Sequence, residues 1–214
     1  MNIQDIIISA QSIEFDRRRV VGQTVSRSER LRTAERASAT AFKFRVSPPA
    51  RLRFSTNRDL VEGIAYYDRS QEQIIGFSGN LSYITQYQGE CTQAQLDAMT
   101  ITNFVTATIT IGNLPSTSSS VLLFKAGDWI QPETSRYPYI VTTDVQRGST
   151  STVQVSVHRS LIPDVDPLVN VQGPILVGTQ TSLRVVVTEL PTYKLVQRDW
   201  FEFSGDFVLV EYII

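Results

Sequence analysis

A chain with one histidine and one cysteine has few routes to covalent chemistry, and here those residues are His158 and Cys91. His158 ends a strand of the pattern Val153-x-Val155-x-Val157, so alternation sets it on the opposite face with Gln154 and Ser156. No nucleophile-elbow sequence accompanies it, and it reads as a surface or rim histidine. Cys91 has no intrachain partner, and one Cys with one His falls short of a zinc site, so the thiol reads as a small buried apolar group. Asp164 and Asp166 offer two carboxylates to a hard cation. The glycine and spaced acids of a calcium loop are missing, however, and the flanking Pro163 and Pro167 favour a rigid turn. Residues 148–152 (GSTST) lack the lysine and helix of a phosphate loop and read as a hairpin turn. The 21 acids permit carboxylate pairs of the kind that hydrolyse glycosides, yet no spacing singles one out. The expectation is a non-enzymatic chain with no cofactor and no metal.

What chemistry remains is electrostatic. Residues 1–58 hold 12 of the 20 Lys and Arg but 5 of the 21 acids, a local charge of +7 against −8 over residues 59–214. Seven arginines, Arg17, Arg18, Arg19, Arg27, Arg30, Arg32 and Arg36, lie within a basic arm at 17–41. This is the one stretch resembling a nucleic-acid footprint. No aromatic residue lies between Arg17 and Arg36 to stack on bases, whereas Glu29 and Glu35 do. Contact between subunits, one charged surface meeting its opposite on a neighbour, is the favoured role for the seven.

The elements that would position these groups are mostly strands. Ile3 to Ser9 reads as the first, and Ser12 to Val21 alternates more weakly. Residues 22–41 are too poor in large apolar groups to bury themselves and read as a long loop or extended arm. Phe42 to Val46 alternates apolar with basic, Pro48-Pro49 interrupts it, and Arg51 to Phe54 resumes it. Thr56 with Asp59 fits a capping box for a helix near 56–67, and Thr92 with Gln95 fits one for a short helix ending at Met99. Gln73 to Phe77 is a strand between them.

From Ile101 onward nearly everything reads as β. The stretch 101–112 alternates throughout, and 121–124 precedes a Gly127-Asp128 turn. Strands at 139–145 and 152–158 flank Arg147-Gly148-Ser149 as a hairpin. A linker punctuated by Pro163, Pro167 and Pro174 leads to strands at 183–188, 199–203 and 207–213, the last two joined at Ser204-Gly205-Asp206. Closely spaced strands of this kind predict a mainly β fold, an antiparallel barrel or sandwich. Composition shifts near residues 95 and 172 predict a small inserted β domain at 95–172. Residues 1–94 and 173–214 would then supply the two parts of one barrel, the first carrying the arm and a flanking helix.

With 42% hydrophobic and 19% charged residues the chain can bury a core. Its longest apolar runs, Ile6–Ile8 and Phe207–Val210, are far short of a bilayer span, and Met1–Asp5 has no basic start of a signal peptide. No membrane association and a cytoplasmic origin are expected.

Several segments resemble tail proteins of contractile-tailed bacteriophages, including those infecting cyanobacteria. They are Ile13–Arg27 (IEFDRRRVVGQTVSR), Asn57–Glu62 (NRDLVE), Leu123–Gln131 (LFKAGDWIQ) with Tyr137-Pro138-Tyr139 and Val157-His158-Arg159 downstream, and Phe203–Glu211 (FSGDFVLVE). The resemblance implies a tail-tube type of β-barrel in a virion tail. The subunit would form a homo-hexameric ring in the baseplate hub, tube initiator, adaptor or distal tube, through which DNA passes without sequence-specific binding. Its partners would be other tail and baseplate proteins, with assembly in the host bacterial cytoplasm. The alternative is a receptor- or glycan-binding module at a tail-fibre attachment site, with Trp129, Tyr137 and Tyr139 forming a groove; core packing is the plainer role for those rings. A cell-wall hydrolase is the third class, and no recognisable site supports it.

Overall fold

A computed structural model of the chain describes residues 3–16, 21–25, 31–35, 41–65, 71–162 and 172–213. The described structure is mainly β, 41% strand and 17% helical, with antiparallel sheets that include a half-barrel. In chain order the elements begin with α1 (Ile3–Ile8), β1 (Ser12–Asp16), β2 (Val21–Val25), β3 (Leu31–Glu35), β4 (Lys43–Ser47), β5 (Leu52–Arg53), α2 (Phe54–Ala65), β6 (Gln73–Ile75) and α3 (Gln93–Ala98). The middle supplies β7 (Thr100–Val105), β8 (Thr108–Gly112), β9 (Leu122–Phe124), β10 (Trp129–Pro132), β11 (Tyr139–Ile140), β12 (Val145–Gln146) and β13 (Val153–Ser156). The chain closes with β14 (Gly173–Val177), β15 (Leu183–Glu189), β16 (Thr192–Val196), β17 (Trp200–Ser204) and β18 (Phe207–Glu211).

Two larger sheets form the body. One has the order β1-β4-β18-β15-β6 and the other β11-β10-β14-β7-β8-β13. The alternation in β4, between β1 and β18, shows that one face of this sheet covers the core: Phe44 and Val46 are buried while Lys43 and Arg45 face out. Smaller sheets pair β9 with β12, β5 with β17 and β16, and β2 with β3. Buried residues fall into two clusters. One draws on residues 96–177, and the other joins the N-terminal strands to β15 and β18, with Trp129 and Ile140 reaching in from the middle of the chain.

Several elements differ from the sequence reading. The expected strand Ile3 to Ser9 is instead the helix Ile3–Ile8, because Ile3, Ile6 and Ile7 lie on one helical face and all three are buried. Within the expected loop or arm at 22–41, residues 21–25 and 31–35 form a ribbon, with Val25 opposite Leu31 and Thr24 opposite Arg32. Arg51 to Phe54 does not continue β4, since β5 pairs with β17 in another sheet. The helix near 56 opens at Phe54 and kinks at Asn57 (φ −122°), where the Asn57 amide donates to Arg53 O at 2.8 Å. Thr56 therefore lies inside it and donates to Arg53 O instead of capping Asp59.

Residues 101–112 turn back at Thr106 (φ 53°) into the β7–β8 hairpin. The expected pairing of 139–145 with 152–158 around Arg147-Gly148-Ser149 survives as an antiparallel bridge between Val141 and Val157, with the Thr142 N–H donating to Ser156 O at 2.9 Å and the His158 N–H to Ile140 O at 3.0 Å, while β12 pairs with β9 and β13 with β8. Arg147 fixes that corner by donating to Pro115 O at 2.9 Å and Thr150 O at 2.6 Å. Pro174 lies in strand β14, and Pro163, Pro167, Asp164 and Asp166 lie outside the described residues. At Ser204-Gly205-Asp206 the chain passes from the three-stranded sheet to the five-stranded one, with Gly205 at φ +97°.

Candidate assembly surface

Among the described residues the β2–β3 ribbon forms a sheet of its own; its ten residues carry Arg32 and Glu35, and the other six arginines of the basic stretch flank its strands in sequence. Its register runs from Val21 opposite Glu35 to Val25 opposite Leu31, with Thr24 opposite Arg32. Of the seven arginines, Arg32 is on β3, and Arg17, Arg18, Arg19, Arg27, Arg30 and Arg36 lie outside the described residues. An isolated two-stranded ribbon is only marginally stable in water, so its order gains from a neighbouring surface.

The sheet edges differ in how they are closed. The β6 edge is clasped by α1: Gln4 donates to Gly76 O at 2.6 Å and accepts Gly76 N–H at 2.8 Å. The outer side of β16 pairs with no strand among the described residues, and four of its five residues are exposed. Tyr193 and Leu195 are 43% and 63% exposed there, an apolar edge of the kind proteins usually blunt. On the other face of that sheet, Lys194 and Arg51 flank Glu202 at 3.0 and 2.7 Å and hold its carboxyl below the ordinary range.

A buried ion pair joins the two large sheets. Arg159 Nη1 and Nη2 donate to Glu211 Oε2 and Oε1 at 2.6 and 2.7 Å, and Nη2 also donates to Pro138 O at 2.8 Å. The Phe42 N–H donates to Glu211 Oε2 at 3.0 Å, and the guanidinium lies over the Phe42 and Tyr139 rings. His158 is half-buried rather than a surface residue. It stacks on Phe42 at 5.1 Å, and its Nδ1 accepts the Ile140 N–H at 3.0 Å. Sequence reasoning missed the ion pair, although the alternation Phe207-x-Leu209-x-Glu211 already put Glu211 on the core face.

Trp129, Tyr137 and Tyr139 pack inside the protein, at most 3% exposed, and form no surface groove. Cys91 is half-buried, its N–H donating to the Tyr87 hydroxyl, and burial pushes the thiol up. Asp128, at the expected turn, is buried and accepts the N–H groups of Gln88 and Lys125, both at 2.8 Å. Among the described residues no three His, Cys, Asp or Glu gather as a metal site, and no helix is long and apolar enough to cross a membrane. The chain matches no protein-family profile and no curated protein.

Proposed function

We propose that the chain is a structural subunit of a contractile bacteriophage tail, forming a ring in the baseplate hub or distal tube through which DNA passes. The observation that carries this reading is the β2–β3 ribbon, a sheet to itself within a stretch holding seven arginines and two glutamates between residues 17 and 36. The basic sequence flanking the ribbon suits the acidic remainder of a neighbouring copy, and a two-stranded ribbon offers strand edges for pairing between subunits. The predominance of antiparallel strands and the exposed β16 edge support the same role. A lumen lined by the acidic part would let DNA slide without sticking, since phosphates bind cationic surfaces.

The test is the mass of the purified chain by light scattering across a concentration series, with negative-stain microscopy. Six-fold rings or short tubes are expected; a monomer at every concentration would overturn the self-assembling subunit.

A further inference from the structure

We propose that Arg159 and Glu211 form an orientation lock that sets the angle between the six-stranded and five-stranded sheets. The two residues come from opposite sides of the seam. Arg159 follows β13, the edge strand of the larger sheet, and Glu211 ends β18, the central strand of the smaller one. Their side chains are 2% and 0% exposed. The fork of two short hydrogen bonds is planar and directional, and the same guanidinium is fixed again by Pro138 O and by the rings of Phe42 and Tyr139 at 4.8 and 5.4 Å. Glu211 is held in turn by the Phe42 N–H. Pro138 and Tyr139 lie at β11 of the six-stranded sheet and Phe42 lies beside β4 of the five-stranded one, so rotating one sheet on the other disturbs several contacts together.

The apolar contacts across the seam impose no such direction. Trp129 and Ile140, on β10 and β11, are packed in the cluster of the five-stranded sheet, and burial of apolar area is non-directional. Desolvating two charges consumes much of what their attraction returns, so an apolar pair of similar volume would hold the seam about as firmly. What an apolar pair would lack is a preferred angle. Orientation, rather than adhesion, is therefore what the ion pair adds. The inference stands independently of the tail reading.

The test uses the full chain with Cys91→Ser and spin labels on Gln154→Cys in β13 and Ile74→Cys in β6, both exposed positions on different sheets. Dipolar spectroscopy of this background, diluted with an excess of unlabelled chain so that only distances within a subunit are read, is expected to give one narrow distance distribution. In R159M/E211L the thermal midpoint is expected to hold while the distribution broadens or splits. Arg159→Lys, which keeps the charge but not the fork, is expected to broaden it with the fold retained, and it decides the matter if the double variant does not fold. A single narrow distribution in either folded variant overturns the lock, and lowered stability with a narrow distribution assigns the pair to stability alone.

Discussion

The Asp199 carboxylate caps α2 from 144 residues away, accepting the Ser55 backbone N–H at 2.9 Å and the Ser55 hydroxyl. Asp199 lies in the β16–β17 turn, where it and Arg198 both adopt φ 66°, and its carbonyl accepts the Phe54 N–H at 2.9 Å. The first turn of the helix thus borrows its cap from a hairpin tip, and the hairpin tip is held in its left-handed conformation by the helix.

Asp199→Asn is expected to lower stability at neutral pH. The hydrogen bonds from Ser55 hold the Asp199 carboxyl below its ordinary value of 3.8, so the native state gives up this proton more readily than the unfolded chain. Its contribution is complete above that value and is lost as pH falls through the native one. Thermal midpoints of the two proteins should differ at neutral pH and converge in acid; a constant gap would contradict the cap.

Asp128 has the opposite sign. Burial, the largest cause, raises its carboxyl above 3.8 despite the two N–H donors. The native state holds this proton longer than the unfolded chain, so stability falls as pH rises from 3.8 through the native value. Asp128→Ala removes that slope but strands the Gln88 and Lys125 donors, a net loss of about 1–3 kcal/mol at neutral pH by urea denaturation.

Arg159→Ala leaves Glu211 buried and without its countercharge. The expected loss is about 3–5 kcal/mol in chemical denaturation, far more than any exposed pair would give. Removal of Arg51, which pairs with Glu202 at the surface, should move stability much less. Equal losses for the two would remove the distinction between seam and surface.

Charge reversal at Arg17, Arg18 and Arg19 bears on assembly. Replacing all three with glutamate is expected to shift the light-scattering mass towards the monomer while the far-ultraviolet circular dichroism stays native. Undiminished assembly would take these residues out of the subunit contact.

Local signals were the ones legible in advance. The Thr92–Gln95 capping box is present at α3, with the Thr92 N–H donating to Gln95 Oε1 at 2.8 Å, because a reciprocal cap needs only residues three apart. The Phe42–Val46 alternation and the Gly127-Asp128 turn were legible for the same reason. Ile6-Ile7-Ile8 misled, since β-branched residues favour strands until helical spacing buries Ile3, Ile6 and Ile7 together. Partner exchange at Ser204-Gly205-Asp206 left no local trace: a turn signal marks where the chain bends, not which sheet receives the next strand. Asp199 and Ser55, or Arg159 and Glu211, meet across distances in sequence that no periodicity reports.

The clasp of Gln4 on Gly76 closes the five-stranded sheet just past the end of β6. A strand arriving there would meet a backbone N–H and carbonyl already satisfied by a side-chain amide, and displacing it would peel α1 from its seat. Extension of the ladder at this point is therefore tied to the first helix, which acts as a doorstop: α1 has to leave before another strand can follow.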